Sequence, residues 1–178
     1  MPPPLWAVRP LLPVISFLTA RYIARQRRRL LPLGQPIAPE IIRRLSGFFP
    51  ESVLQETRVV ETQVPSPSFY PLVRRLGIGE FPEMAAIGAI TFVDLIAYPE
   101  RLGIQTLFHE FVHVMQYRAL GLRTFSRHYV HGFVSGGGYE GIPLERQAYE
   151  LEERFSRNPR SRFSVEDDVR ARWRDGRL

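Results

Sequence analysis

The chain has 178 residues, with 24 cations that are all Arg, 18 carboxylates, four His, no Cys and a formal charge of +6. That length suits one domain with a small appended segment, and 44% apolar with 24% charged residues excludes a wholly disordered polymer. Without Cys, disulfide scaffolds, thiolate metal sites, iron–sulfur clusters and Cys nucleophiles are excluded, so a metal site has only His and carboxylates to draw on.

Three prolines, Pro2 to Pro4, open the chain, followed by apolar residues 11–20 and then Arg21, Arg25, Arg27, Arg28 and Arg29. An apolar run this short, interrupted by Pro13, cannot span a bilayer as a helix. Its charges follow the apolar run, the reverse of a signal peptide. Residues 1–35 therefore read as a basic, apolar helical segment, helical from about 14 to 30. It either docks on the domain or lies on a membrane surface through residues 11–30, and the chain is expected to be cytoplasmic or peripheral to a membrane.

Residues 36–158 read as the main domain. Pro39 and Glu40 start a short helix that Gly47 ends. Residues 56–64 have the β-branched content of a strand, and Pro65, Pro67 and Pro71 make the next segment a loop. Residues 86–98 suggest one long buried strand or a tight hairpin. A helix is expected over 102–120, closed by Gly121, then a loop over 122–142 containing Gly136, Gly137 and Gly138. A last helix is expected from Pro143 to about Phe155, and residues 159–178 form an Arg-rich tail.

The chemistry lies in the 102–120 helix, where His109-Glu110-Phe111-Val112-His113 forms an HExxH. Two His at i and i+4 share one helical face, so both imidazoles can reach one tetrahedral Zn²⁺. Glu110 is rotated roughly 100° from His109, beside the metal, where it can take a proton from bound water. Chance would supply this motif about 0.007 times per chain of this composition. A polar triplet inside an otherwise apolar helix also requires partners, because unpaired buried polar groups are costly.

A catalytic zinc needs a third protein ligand and an open position. Gln116 and Ala119 occupy the places where an extended motif would carry Gly and a third His. The remaining candidates are His128, His131, Glu140, Glu145 and Glu150. On the last helix, Leu144, Ala148, Leu151 and Phe155 form the buried stripe. Counted from Leu144, Glu145 falls at about 100° and Glu152 at about 80°, on its shoulder, and Glu150 at about 240°, toward solvent. The wheel therefore selects Glu145, whose direction Pro143 sets at the start of the helix. Glu150 reads as a solvated charge and Glu152 as a partly exposed carboxylate.

HEFVH followed by Glu145-Arg146-Gln147-Ala148 resembles the gluzincin metallopeptidases, in which HExxH is joined by a Glu on a later helix. Among these it is most similar to small bacterial domains. The resemblance is firmest over residues 87–155, looser over 48–59 and absent from the first 40. It implies a substrate-aligning edge strand at 90–96 and oxyanion stabilisation by one of His128, Tyr129, His131 or Tyr139, of which Tyr139 is preferred. It also implies a lid hinge at the three glycines. The family commonly places Asp four residues after the ligand Glu, to orient a metal His. Here that position is Tyr149, expected to supply a hydroxyl instead.

The expectation is an α+β minimal zincin, with a small sheet packed on the HExxH helix and the Glu145 helix behind it. Its function would be zinc-dependent peptide-bond hydrolysis. His109, His113 and Glu145 would hold Zn²⁺, Glu110 and Tyr139 would be catalytic, and the partner would be a peptide or protein substrate. The alternatives are a non-catalytic binding or scaffold domain of the same architecture or, less favoured, an Arg-driven nucleic-acid or membrane-surface binder. Nucleic acid is the least favoured partner, because no recognised nucleic-acid module appears.

Overall fold

The computed structural model describes residues 5–75 and 88–178. The chain opens with α1 (Leu5–Val8), a 3₁₀ turn and the long helix α2 (Leu12–Leu30). Next come β1 (Gln35–Pro36), α3 (Pro39–Leu45), α4 (Glu51–Glu56), β2 (Arg58–Glu61) and α5 (Tyr70–Arg75). The second half holds β3 (Ile90–Phe92), β4 (Leu95–Tyr98), α6 (Ile104–Leu120), α7 (Leu122–Ser135), α8 (Pro143–Arg157) and α9 (Val165–Arg174). The architecture is α+β, as the sequence suggests.

The four strands form one mixed sheet in the order β1-β2-β4-β3. β2 runs parallel to β4, with Val59 opposite Ile96, and the other two pairings are antiparallel. Of the expected strand 86–98, residues 86 and 87 lie outside the described residues, and the rest is a hairpin. Val93 makes the turn at a φ of 68°, unfavourable for a β-branched side chain. The adjacent Asp94 receives a two-pronged bond from Arg27 of α2, at 2.5 and 2.6 Å, which ties the turn to that helix. Of the two hairpin strands β3 lies at the sheet edge, because β4 lies between β2 and β3. The edge expected over 90–96 is therefore confined to Ile90–Phe92.

Helix α6 sits at the centre, with every residue from Leu107 to Tyr117 buried. It contacts β3 on one side and α7, α8 and α9 on the others. A helix covered all round must be apolar all round or satisfy its polar groups internally. Phe108 supplies the first kind of contact, stacking on Phe155 of α8 at 4.4 Å with Phe48 packed edge-on to both rings.

Two expectations are corrected. Residues 122–142 are not one loop, because 122–135 form α7. Phe125 and Phe133 face the main core and Val130 faces Val8, Leu12 and Ile15, with Tyr129 and Val134 half-buried, a pattern that the glycines and polar residues disguise. Gly132 belongs in this helix because a Cβ there would lie 2.6 Å from Pro143 Cδ and 3.2 Å from Ile142 Cα, where α8 begins. The Arg-rich stretch after 158 is not a loose tail either. It carries α9, whose Val165 and Val169 are fully buried in the main core and whose helix packs on α6.

In a helix interior Gly→Ala ordinarily stabilises by about 0.5–1 kcal/mol. At Gly132 the sign is expected to reverse, with Gly132→Ala losing about 1–3 kcal/mol in urea unfolding because the added methyl meets backbone and a proline ring.

Candidate metal centre

His109, His113 and Glu145 are buried together, and one ligand atom from each lies within 4.8 Å of the others. The two Nε2 atoms are 3.1 Å apart, and Glu145 Oε2 is 3.3 Å from each. The first two come from successive turns of α6 and the third from the first turn of α8, the helix packed closely along it.

Hydrogen bonds behind the rings set their tautomers. Gln116 Nε2 donates to the Leu144 carbonyl at 2.9 Å and to Gln147 Oε1 at 3.0 Å, so Gln116 Oε1 must be the atom facing His113 Nδ1 at 2.8 Å. His113 therefore carries its proton on Nδ1 and presents a lone pair on Nε2. His109 Nδ1 lies 3.1 Å from Glu152 Oε2, which assigns it the same tautomer. In the neutral state two imidazole lone pairs and a carboxylate oxygen then point at one another. Such a set is unfavourable unless a cation lies among them, and two His with one carboxylate is a zinc-type donor set. The three residues fit a divalent metal ion.

The charges agree with this geometry. Burial opposes charge on both imidazoles, but Glu145 and Glu152 overcome it at His109, lifting it to about 10, and Glu145 raises His113. Burial also works to raise Glu145, yet His113 and His109 prevail and hold it below the usual carboxylate range. These are views of one interaction, three donors that attract a positive charge.

Glu110 is buried beside this cluster, with Thr91 of the edge strand donating to its Oε2 at 2.7 Å. Burial pushes its carboxyl up against the opposing pull of His113 and His109. Tyr139 donates to Glu145 Oε2 at 2.7 Å, and Tyr129 is a further hydrogen-bond partner of Glu145. Burial raises both phenols, so each remains a neutral donor. Tyr139 is brought here by a tight 3₁₀ turn in which the backbones of Gly136 and Gly141 touch, leaving no room for a Cβ on either. The expected hinge glycine Gly136 thus has a packing role.

The other candidates lie elsewhere. His128 faces the Leu178 carbonyl at 2.8 Å and packs on Trp173, while His131 and Glu140 are exposed. Glu150 is exposed and paired with Arg172 at 2.6 Å. Tyr149, 50% exposed, lays its ring 4.5 Å from that of His109 and hydrogen-bonds Tyr139. The carboxylate behind His109 is Glu152, three residues further along α8. Sequence reasoning placed Glu152 on the shoulder of the buried face but gave it no role. Its position at nearly the same angle as Glu145 was the available signal. The chain His113–Gln116–Gln147–Asp168, closed by a 2.7 Å bond to α9, was not anticipated at all.

A cleft opens beside the cluster, with Glu110, His113 and Glu145 in its wall. Tyr22 of α2, Phe69, Tyr70, Phe125 and Tyr129 make the rest largely aromatic. Tyr22 also donates to the Pro65 carbonyl at 2.7 Å, fastening the 65–69 segment over α2.

His109 has a folded pKa above its unfolded value of about 6.5. The stability it contributes to the metal-free chain is therefore complete below about pH 6.5 and lost as pH rises through about 10. An NMR titration of the metal-free chain is expected to show this imidazole still protonated at pH about 8, while His128, desolvated, titrates below the ordinary value. Scanned against models of known families, curated proteins and solved structures, the chain finds no match.

Proposed function

We propose that the chain is a zinc-dependent hydrolase of peptide bonds. The observation that carries this reading is the facing set of two imidazole lone pairs and one carboxylate oxygen, with a second buried carboxylate, Glu110, alongside. His109 Nε2, His113 Nε2 and Glu145 would hold the metal. When bound, Zn²⁺ lowers the pKa of a coordinated water toward neutrality and polarises a carbonyl.

The remaining steps belong to the chain's own side chains. Thr91 anchors Glu110 Oε2, which leaves Oε1 as the proton acceptor. A carboxylate raised by burial is a better base near neutral pH than a solvated one. Glu110 takes the proton of the attacking water and passes it to the leaving amine nitrogen. The Tyr139 and Tyr129 hydroxyls, each neutral and bonded to Glu145 in the metal-free chain, would turn their protons to the negative charge on the scissile carbonyl oxygen once Glu145 holds a metal. Edge strand β3, which carries Thr91, offers backbone pairing to an extended peptide.

Metal analysis and a chelator-sensitive peptide-library assay test the reading. The wild-type chain is expected to bind one Zn²⁺ and hydrolyse peptides. Glu110→Gln keeps the metal and loses about 10²–10⁴-fold in turnover, and His113→Ala loses both. Full turnover in Glu110→Gln would sink the mechanism.

Glu152→Gln is expected to weaken zinc affinity about 10–100-fold by removing the carboxylate behind His109. Tyr149→Phe, which leaves that bond intact, should change affinity little. Competition against a chromophoric chelator measures both, and the reverse order would restore Tyr149 to the orienting role.

A further inference from the structure

Helix α2 turns two different faces to its surroundings. The inner one is buried through Leu12, Ile15, Ala20, Ile23 and Leu30, and supplies Thr19, Tyr22 and Ile23 to the cleft wall. The outer one is exposed at Val14, Phe17, Arg21, Arg25 and Arg28, with Arg29 beside them and Leu11 just before the helix. Spacings of three and four residues align these positions as one stripe. The stripe is divided along its length, apolar toward the N-terminus and cationic toward the C-terminus. Val14 is 57% and Phe17 62% exposed, and with Leu11 they stand together on one face, where a cluster of exposed apolar side chains is more informative than single ones.

The helix contains no acidic residue. Arg27, on its flank, is taken by Asp94, but among the described residues no carboxylate pairs with Arg21, Arg25, Arg28 or Arg29. These cations therefore face outward with no ion pair among the described residues, next to exposed apolar side chains. No helix of the described residues is long and apolar enough to cross a membrane.

We propose that the outer face of α2 docks on an anionic lipid surface. Val14, Phe17 and Leu11 enter the boundary between headgroups and acyl chains, while the four Arg meet lipid phosphates. Lipid is favoured over another polyanion because only a surface with an apolar layer beneath its phosphates rewards both halves of the stripe. A few apolar side chains or a few cations alone give weak, reversible attachment, and the two together give a stable one. One helix then has a lipid-facing side and a cleft-facing side. This inference stands apart from the metal-site reading and does not depend on it.

The test is co-sedimentation of the full chain with sucrose-loaded vesicles of phosphatidylcholine, with and without roughly 30% phosphatidylglycerol. Binding is expected to the anionic vesicles only and to fall as salt rises. Phe17→Ser should lower partitioning about tenfold, and Arg25→Gln with Arg28→Gln about thirtyfold. These side chains are exposed, so thermal unfolding should be unchanged, and Val14→Ser provides a second apolar variant should Phe17→Ser fold poorly. Equal binding to neutral vesicles, or anionic binding indifferent to both apolar variants, would overturn the proposal. So would equally tight binding of a short DNA duplex that ignores Phe17, since the stripe would then be a general polyanion face.

Discussion

The candidate site depends on one electrostatic constraint. His109 Nε2, His113 Nε2 and Glu145 Oε2 lie 3.1–3.3 Å apart inside the protein, and each is electron-rich in its neutral or ionised form. Water cannot dilute this repulsion, because all three residues are buried. A cation has to relieve it, a proton in the metal-free chain or a divalent ion in the proposed enzyme. The upward shift of both imidazoles and the downward shift of Glu145 express the same demand.

Holding such a set in place requires rigid support, and the surrounding fold supplies it in layers. Glu152 and Gln116 grip the outer nitrogens of the two imidazoles, Gln147 grips Gln116, and Asp168 of α9 grips Gln147. Around this polar line, the stack of Phe108 on Phe155 and the edge contacts of Phe48 lock α6 to α8. The polar chain is affordable in the interior because each member has a partner. It also explains why the Arg-rich C-terminal stretch is folded: α9 covers α6 with Val165 and Val169 and ends the hydrogen-bond line.

Helix α2 couples the site to the exterior. Arg27 pins the β3–β4 turn, Tyr22 pins the segment at Pro65, and the inner face forms part of the cleft wall. The charge excess noticed in the composition is thus unevenly used. Some Arg close structural pairs, as Arg27 and Arg172 do, while the exposed Arg of the outer stripe of α2 have no ion-pair partner among the described residues. That division gives the basic balance a specific place on the surface, where composition alone shows only an average.

Local rules carried the reading of α2, α3, α6 and α8 close to their observed ends, because Pro at early positions, Gly at stops and 3.6-residue periodicity act within a few residues. The same locality made HExxH legible, since i and i+4 lie on one face wherever a helix forms. Glu145 was reachable by the helical wheel because its helix has a clear buried stripe. α7 was hidden, since Gly132 breaks the local pattern for a reason located in Pro143 and Ile142. The spacing within α8 sets Glu152 at nearly the angle of Glu145, but that Glu152 and not Tyr149 bonds His109 Nδ1 depends on how α8 lies along α6. The sequence by itself determined the chemical inventory, a Cys-free chain with two His one turn apart. Only the tertiary structure decided which carboxylates face them, because the donor atoms converge through the packing of two helices far apart in the chain.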